Sequence, residues 1–281
     1  MNFFLIIIRI KTEQAVTYLK LILRTNMMLT LFSMVFVSLF QMMILFLVST
    51  FDTQAILRSL LDQLPEAVRI FLNDSFFNML SFNGAAAFGL NHPIILAILA
   101  VVAITLPVKH ISREIENGNM ELLLSLPFQR RTLVSLLWIS STLILGVIIL
   151  AALISSFASI LIFHELTGPV AIHLTEIALN LWLLFVLIMT YTLLIATLAP
   201  GGGSSGTVSA MITLLFYLLF YIGQLWSELK PTLPFNIFNY YQPQKIMFGQ
   251  ENLGFDCLIL GILIIVLGAV SLIRFERRDI P

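Results

Sequence analysis

The chain has 281 residues, 59% of them apolar and only 11% charged, with zero formal net charge and a mean hydropathy of +1.01. Soluble domains carry about 25% charged residues, so this composition excludes a soluble globular protein, and the balanced charge gives nucleic acid no electrostatic footing. The single cysteine, Cys257, rules out a disulfide framework or a cysteine-based zinc or iron–sulfur centre within one chain.

Residues 1–26 open on an apolar run that follows no basic residue and precedes no small-residue cleavage site, which argues against a cleaved signal peptide. At 100° per residue Arg9, Glu13, Thr17, Lys20 and Arg24 share one sector, with Ile8, Ala15, Leu19 and Ile22 elsewhere and Lys11 breaking the pattern. This pattern fits an interfacial helix lying in the headgroup plane; a plain basic anchor is the alternative. Six apolar segments then reach the length of a membrane span: 27–49, 93–108, 133–163, 177–198, 207–226 and 258–273. The expected fold is therefore all-α, a single polytopic domain over 1–281.

Two of the connections are long. Residues 50–92 carry an amphipathic stretch, 54–64, that Pro65 stops. Residues 227–257 are rich in proline and aromatics (Pro231, Pro234, Phe235, Phe238, Tyr240, Tyr241, Pro243), a composition expected for an interfacial belt and compatible with an external lid. Eleven of the fifteen basic residues fall on the N-terminal arm, the 109–131 connection and the C-terminal tail. Both termini are thus expected in the cytoplasm, with 50–92 and 227–257 outside.

The 109–131 connection is the most informative stretch. Asn117-Gly118-Asn119 signals a turn. A short helix should follow, with Glu121 in its first turn, Pro127 as its stop, and Leu122, Leu123 and Leu126 as an apolar stripe. Such a unit could dock in a groove of a partner or rest on the headgroups.

Arg113-Glu114-x-Glu116-x-Gly118-x-x-Glu121, then Pro127 and Arg130-Arg131, resembles the signature of type-2 ABC transporter permeases. Leu233-Pro234-Phe235 through Tyr240-Tyr241-Gln242-Pro243, and the tail from Arg274 to Ile280, are similar to further parts of that family in the same order. The resemblance implies a six-span permease of the cell membrane that pairs with a second permease, identical or a sister chain. Each would bind a separate ATPase that holds the ATP and magnesium, leaving no cofactor on this chain. It also implies that 109–131 forms a cytoplasmic coupling helix between spans two and three, with Arg113, Glu114, Glu116, Gly118, Glu121, Pro127, Arg130 and Arg131 facing the ATPase. One departure is the uncharged connection 199–206, which offers no charge for a second contact with the ATPase.

Gly201-Gly202-Gly203-Ser204-Ser205-Gly206 lacks the lysine of a phosphate-binding loop. Gly202, Gly206 and Ala210 instead follow the small-xxx-small spacing by which membrane helices approach closely. A secondary transporter would keep ionisable groups at mid-depth, and a membrane-embedded enzyme would need a converging nucleophile and base or a metal set. Neither pattern stands out; His164, Glu165 and His173 lack a spacing that fixes coordination. The sequence thus points to an ATP-driven export permease that catalyses no bond chemistry itself.

Overall fold

In lipid a backbone must satisfy its own polar groups, so apolar runs of this length have the α-helix as their solution. The computed structural model describes residues 15–51, 81–124, 129–164, 166–199, 202–250 and 253–278. The predicted 54–64 helix, Arg9 and Lys11 lie outside the described residues.

Helix α1 (residues 15–25) leads into α2 (Met27–Thr50). Then come α3 (Phe82–Leu90), α4 (Pro93–Pro107), a π-helical turn (Val108–Ser112), α5 (Arg113–Glu116) and α6 (Met120–Leu124). The remaining helices are α7 (Arg130–Phe163), α8 (Gly168–Leu198), α9 (Gly202–Leu225), α10 (Pro243–Met247) and α11 (Leu253–Glu276). Six helices are long and apolar enough to cross a membrane: α2, the run from α3 through α5, α7, α8, α9 and α11. No strand occurs among the described residues. The protein is an all-α polytopic membrane protein.

Burial ranks the spans. The apolar window of α8 is 72% buried, against 22% for α2 and for α9. Helix α8 sits at the centre, packed by α4, α7, α9 and α11, while α2 lies outside against α7 and α3. Helix α7 has 34 residues, about 50 Å at 1.5 Å per residue, so it exceeds the roughly 30 Å of hydrocarbon. Close helix contact needs glycine at one crossing: a Cβ on Gly268 of α11 would lie 2.9 Å from the Trp138 ring of α7.

Most span hydroxyls satisfy themselves locally. Ser156, Ser159, Thr190 and Thr192 donate to the carbonyl four residues back. Gln41 differs, donating at 2.9 Å to the Ala86 carbonyl of α3. Its amide oxygen would sit 2.1 Å from a Cβ at position 89, so a larger residue there would have to displace the Gln41 amide from this bond.

Three features refine the sequence expectations. The second span begins earlier, because Ser81 caps α3 through the Gly84 N–H at 3.0 Å and the small Gly84–Ala87 run packs fully inside. The glycine-rich stretch is largely helical, since α9 starts at Gly202 and buries Ser205 and Ser209. The aromatic segment 227–257 divides: Phe238 is buried beside Tyr217 of α9 and Tyr241 is buried with its Oη donating to Leu90 O of α3 at 3.2 Å, whereas Trp226 and Phe235 stay exposed.

Candidate functional site: the basic end of the bundle

The described terminal helices meet at one end of the bundle, where Tyr18 and Ile22 of α1 and Phe275 of α11 share a single buried cluster. This end also carries α5, α6 and the basic residues around them.

Pro107 has no N–H and cannot continue the helical ladder. Immediately after it the backbone loosens into the π turn, a common device at functional positions. The turn rotates Ile111 and Ser112 into full burial before α5 begins. Helix α5 lasts one turn: the Asn117 N–H donates to Arg113 O at 2.9 Å and the Gly118 N–H to Ile115 O at 3.1 Å. Gly118 then takes φ +72°, the left-handed stop that glycine adopts at least cost.

Past the turn the chain re-enters the core. Met120 is 0% exposed and joins Ile111, Leu133, Leu193 and Phe275 in the cluster. Helices α5 and α6 are therefore pinned from beneath to α1, α7, α8 and α11. Their outer surface presents Arg113, Glu116, Gly118 and Glu121, together with Leu122 at 72% exposed. Glu114 is half-buried and faces inward electrostatically: burial first, and the Glu114 charge second, push the Tyr18 hydroxyl up to about 12, which keeps it neutral. Pro127, Leu126 and the side chain of Leu123 lie outside the described residues.

A polar frame surrounds this joint. Lys109 Nζ donates to Thr25 O and to Asn26 Oδ1, each at 2.9 Å, closing the end of α1. Ser205 Oγ of α9 donates to Ser112 Oγ at 2.7 Å, and Ser112 donates onward to Ala196 O of α8 at 3.4 Å. Arg278 covers the C-terminal carbonyls of α8, reaching Thr197 O and Ala199 O at 2.8 Å and Ala196 O at 3.3 Å. A cation at this helix end also complements the dipole.

The predicted site residues thus separate into groups. Arg113, Glu116, Gly118 and Glu121 share one exposed unit. Arg130 and Arg131 engage the chain's own tail: Arg130 Nη1 donates to Arg278 O at 2.6 Å, and Arg131 Nε to Glu276 Oε2 at 2.7 Å, forming an ion pair. Gly206 faces Val108 of the π turn, which would lie 3.7 Å from an added Cβ. Ala210 is exposed, and Gly202 opens α9. Sequence reading passed over Met120, Ser112 and Arg278. The apolar Ile111, Ile115 and Met120 amid charged neighbours were the available signal for an inward face.

What the arrangement offers is mechanical. A short exposed unit sits on a buried cluster to which α1, α7, α8 and α11 also contribute. Among the described residues no group of three His, Cys, Asp or Glu side chains could hold a metal ion.

The chain matches, over residues 7–280, the family described as ABC-2 family transporter protein. Comparison with the curated proteins gave no match.

Proposed function

The chain belongs to the ABC-2 family of transporter permeases and is a membrane subunit of an ABC transporter, and we propose that it is the permease of an ATP-driven exporter in the cell membrane. ATP and its magnesium bind a separate ATPase subunit, and two permeases, identical or sister chains, form the translocating pair. The basic end faces the cytoplasm, in keeping with the excess of lysine and arginine there.

In this reading α5 and α6 are the coupling element. Arg113, Glu116 and Glu121 meet the ATPase, Gly118 sets the turn between the helices, and Pro127 ends the unit. The single observation that carries the reading is the fully buried Met120 directly beneath the exposed α5–α6 surface. Closure of the ATPases displaces α5 and α6. Met120 passes the displacement to α1, α7, α8 and α11, and the spans change between two packings whose relative stability depends on nucleotide state. Arg130 and Arg131 act from behind, bracing the tail.

The test is co-purification of the ATPase with Glu116→Ala and Glu121→Lys variants, together with permease-stimulated ATP hydrolysis and export. Both side chains are exposed, so stability should move by no more than about 0.5 kcal/mol. Loss of ATPase binding or of stimulation in correctly inserted variants supports the coupling role. Unchanged binding, hydrolysis and export would leave α5 and α6 as an ordinary surface turn.

A further inference from the structure

At the end of the bundle opposite the basic residues, a cavity of about 320 Å³ lies where the turn before α4, the end of α9 and α10 meet. Local sequence builds much of its wall. Pro243 opens α10, and Gly249 follows its end with φ +66°. The Gln250 N–H donates to Lys245 O at 2.8 Å and the Gly249 N–H to Ile246 O at 3.0 Å, the paired bonds of a glycine-stopped helix. One short helix and its stop thereby bring Gln242, Gln244 and Gln250 to a single cavity. Asn91 joins them from the turn before α4, and Gln224 from the last turn of α9.

Five amides and four aromatic rings therefore share the wall, the rings being those of Phe220, Tyr221, Tyr241 and Phe248. Two of the tyrosines are tied down: Tyr241 Oη donates to Leu90 O at 3.2 Å, and Asn91 hydrogen-bonds the Tyr221 hydroxyl. Two of the glutamines are also held. Gln242 Nε2 donates to Asn239 O and Gln244 Nε2 to Gly84 O, each at 2.9 Å, which leaves both amide oxygens as acceptors. Gln244 Oε1 is buried and meets no donor among the described residues. Gln224 and Gln250 are exposed, and their side chains make no hydrogen bond among the described residues. The described lining residues include no carboxylate. Lys245 is the one charged residue among them, and it already has an interaction of its own.

We propose that this cavity binds a neutral sugar ring. An amide carries a donor and an acceptor side by side, a hydroxyl does the same, and the two match without charge. The negative face of an aromatic ring attracts the C–H face of a sugar. The volume is at the lower end of small-ligand pockets, which suits one ring rather than a chain. A wall whose only cation is already engaged does little to offset the desolvation of a phosphate or a carboxylate. A free sugar and the headgroup of a glycolipid present the same chemistry, and the test separates them. The site stands on this cavity alone and does not rest on the ATP-driven reading.

The test uses the full chain in phosphatidylcholine nanodiscs, because maltoside detergents would themselves occupy a sugar site. Saturation-transfer NMR with glucose, galactose and N-acetylglucosamine reads free sugar. Native mass spectrometry with glucosyldiacylglycerol against diacylglycerol of equal chain length reads the headgroup. A sugar should bind in at least one of these forms, and Gln224→Ala and Gln250→Ala should each weaken it about fivefold, the worth of one hydrogen bond. Both positions are exposed, so the fold should not suffer. Lys245→Gln should leave binding unchanged, as should Val266→Trp on α11. Preferential retention of the glucosyl lipid without free-sugar binding assigns the site to a headgroup, and free-sugar binding without lipid preference assigns it to a soluble ligand. Absence of both signals overturns the proposal, and so does undiminished binding when Gln224→Ala and Gln250→Ala are combined. Displacement of the sugar by inorganic phosphate would also overturn it, by making the cavity an anion site.

Discussion

The Ser205 hydroxyl donates to Ser112 Oγ at 2.7 Å, and both side chains are fully buried. This bond ties the first turns of the fifth span to the last residue of the π turn, and Ser112 carries it on to Ala196 at the end of α8. The joint between the second span and its exposed helices is thus held from two sides. A double-mutant cycle over Ser112→Ala and Ser205→Ala should give a coupling of about 0.6 kcal/mol, the average for hydroxyl-type bonds between membrane helices. The readout is equilibrium unfolding in mixed micelles. Strictly additive losses would mean that the pair is a neighbourly contact without a stabilising bond.

Gly118 offers a sharper test, because conformation and space are separable there. Its φ is +72°, and nothing lies within 4 Å of an added Cβ. Substitutions should therefore act through backbone strain alone, costing about 1–2 kcal/mol for ordinary side chains and less for asparagine, which tolerates the left-handed region. ATPase stimulation should fall in the order Gly118→Asn, Gly118→Ala, Gly118→Val while membrane insertion stays normal. Equal activity across the series would show that this turn does not set the position of α6.

That turn was legible in the sequence, and so were the spans, because long apolar runs and an Asn-Gly-Asn turn carry their structure locally. Features set by tertiary partners were not. Helix α3 is short, and its Gly84–Ala87 run resembles a flexible linker until α2 supplies Gln41 as a partner. The glycine-rich start of α9 fell within the expected connection 199–206, although its small-residue spacing suited helix packing, and it is helical with Ser205 and Ser209 buried. Arg130 and Arg131 carry charges suited to a partner protein, and only the folded tail shows that Glu276 and the Arg278 carbonyl engage them. Met120 is an apolar residue in a charged neighbourhood, and its anchoring role depends on the distant Phe275 and Leu193.

The tail itself should act as a brace. Arg131 and Glu276 remain 54% and 43% exposed, so their ion pair contributes at most about 1 kcal/mol. Arg278 matters more, since its bonds to Ala196, Thr197 and Ala199 are charge-assisted. Arg278→Gln should raise amide hydrogen exchange over the last turn of α8 and leave the helix centre protected. Arg131→Glu should weaken the tail contact, and adding Glu276→Arg should restore it. Unchanged exchange near residue 199 in Arg278→Gln would remove the tail from any bracing role.

The orientation of the bundle rests on charge, and it can be read directly. Asn117 and Lys245 are both exposed and lie at opposite ends of the protein, so a cysteine at either position is chemically available, and the membrane alone decides which one an impermeant reagent reaches. Eleven of the fifteen basic residues belong to the arm, the 109–131 connection and the tail, and such an excess is retained in the cytoplasm. In a Cys257→Ala background, Lys245→Cys and Ser59→Cys should label on intact cells. Asn117→Cys should label only after permeabilisation. The reverse pattern would turn the bundle over, place α5 and α6 outside, and separate them from any cytoplasmic ATPase.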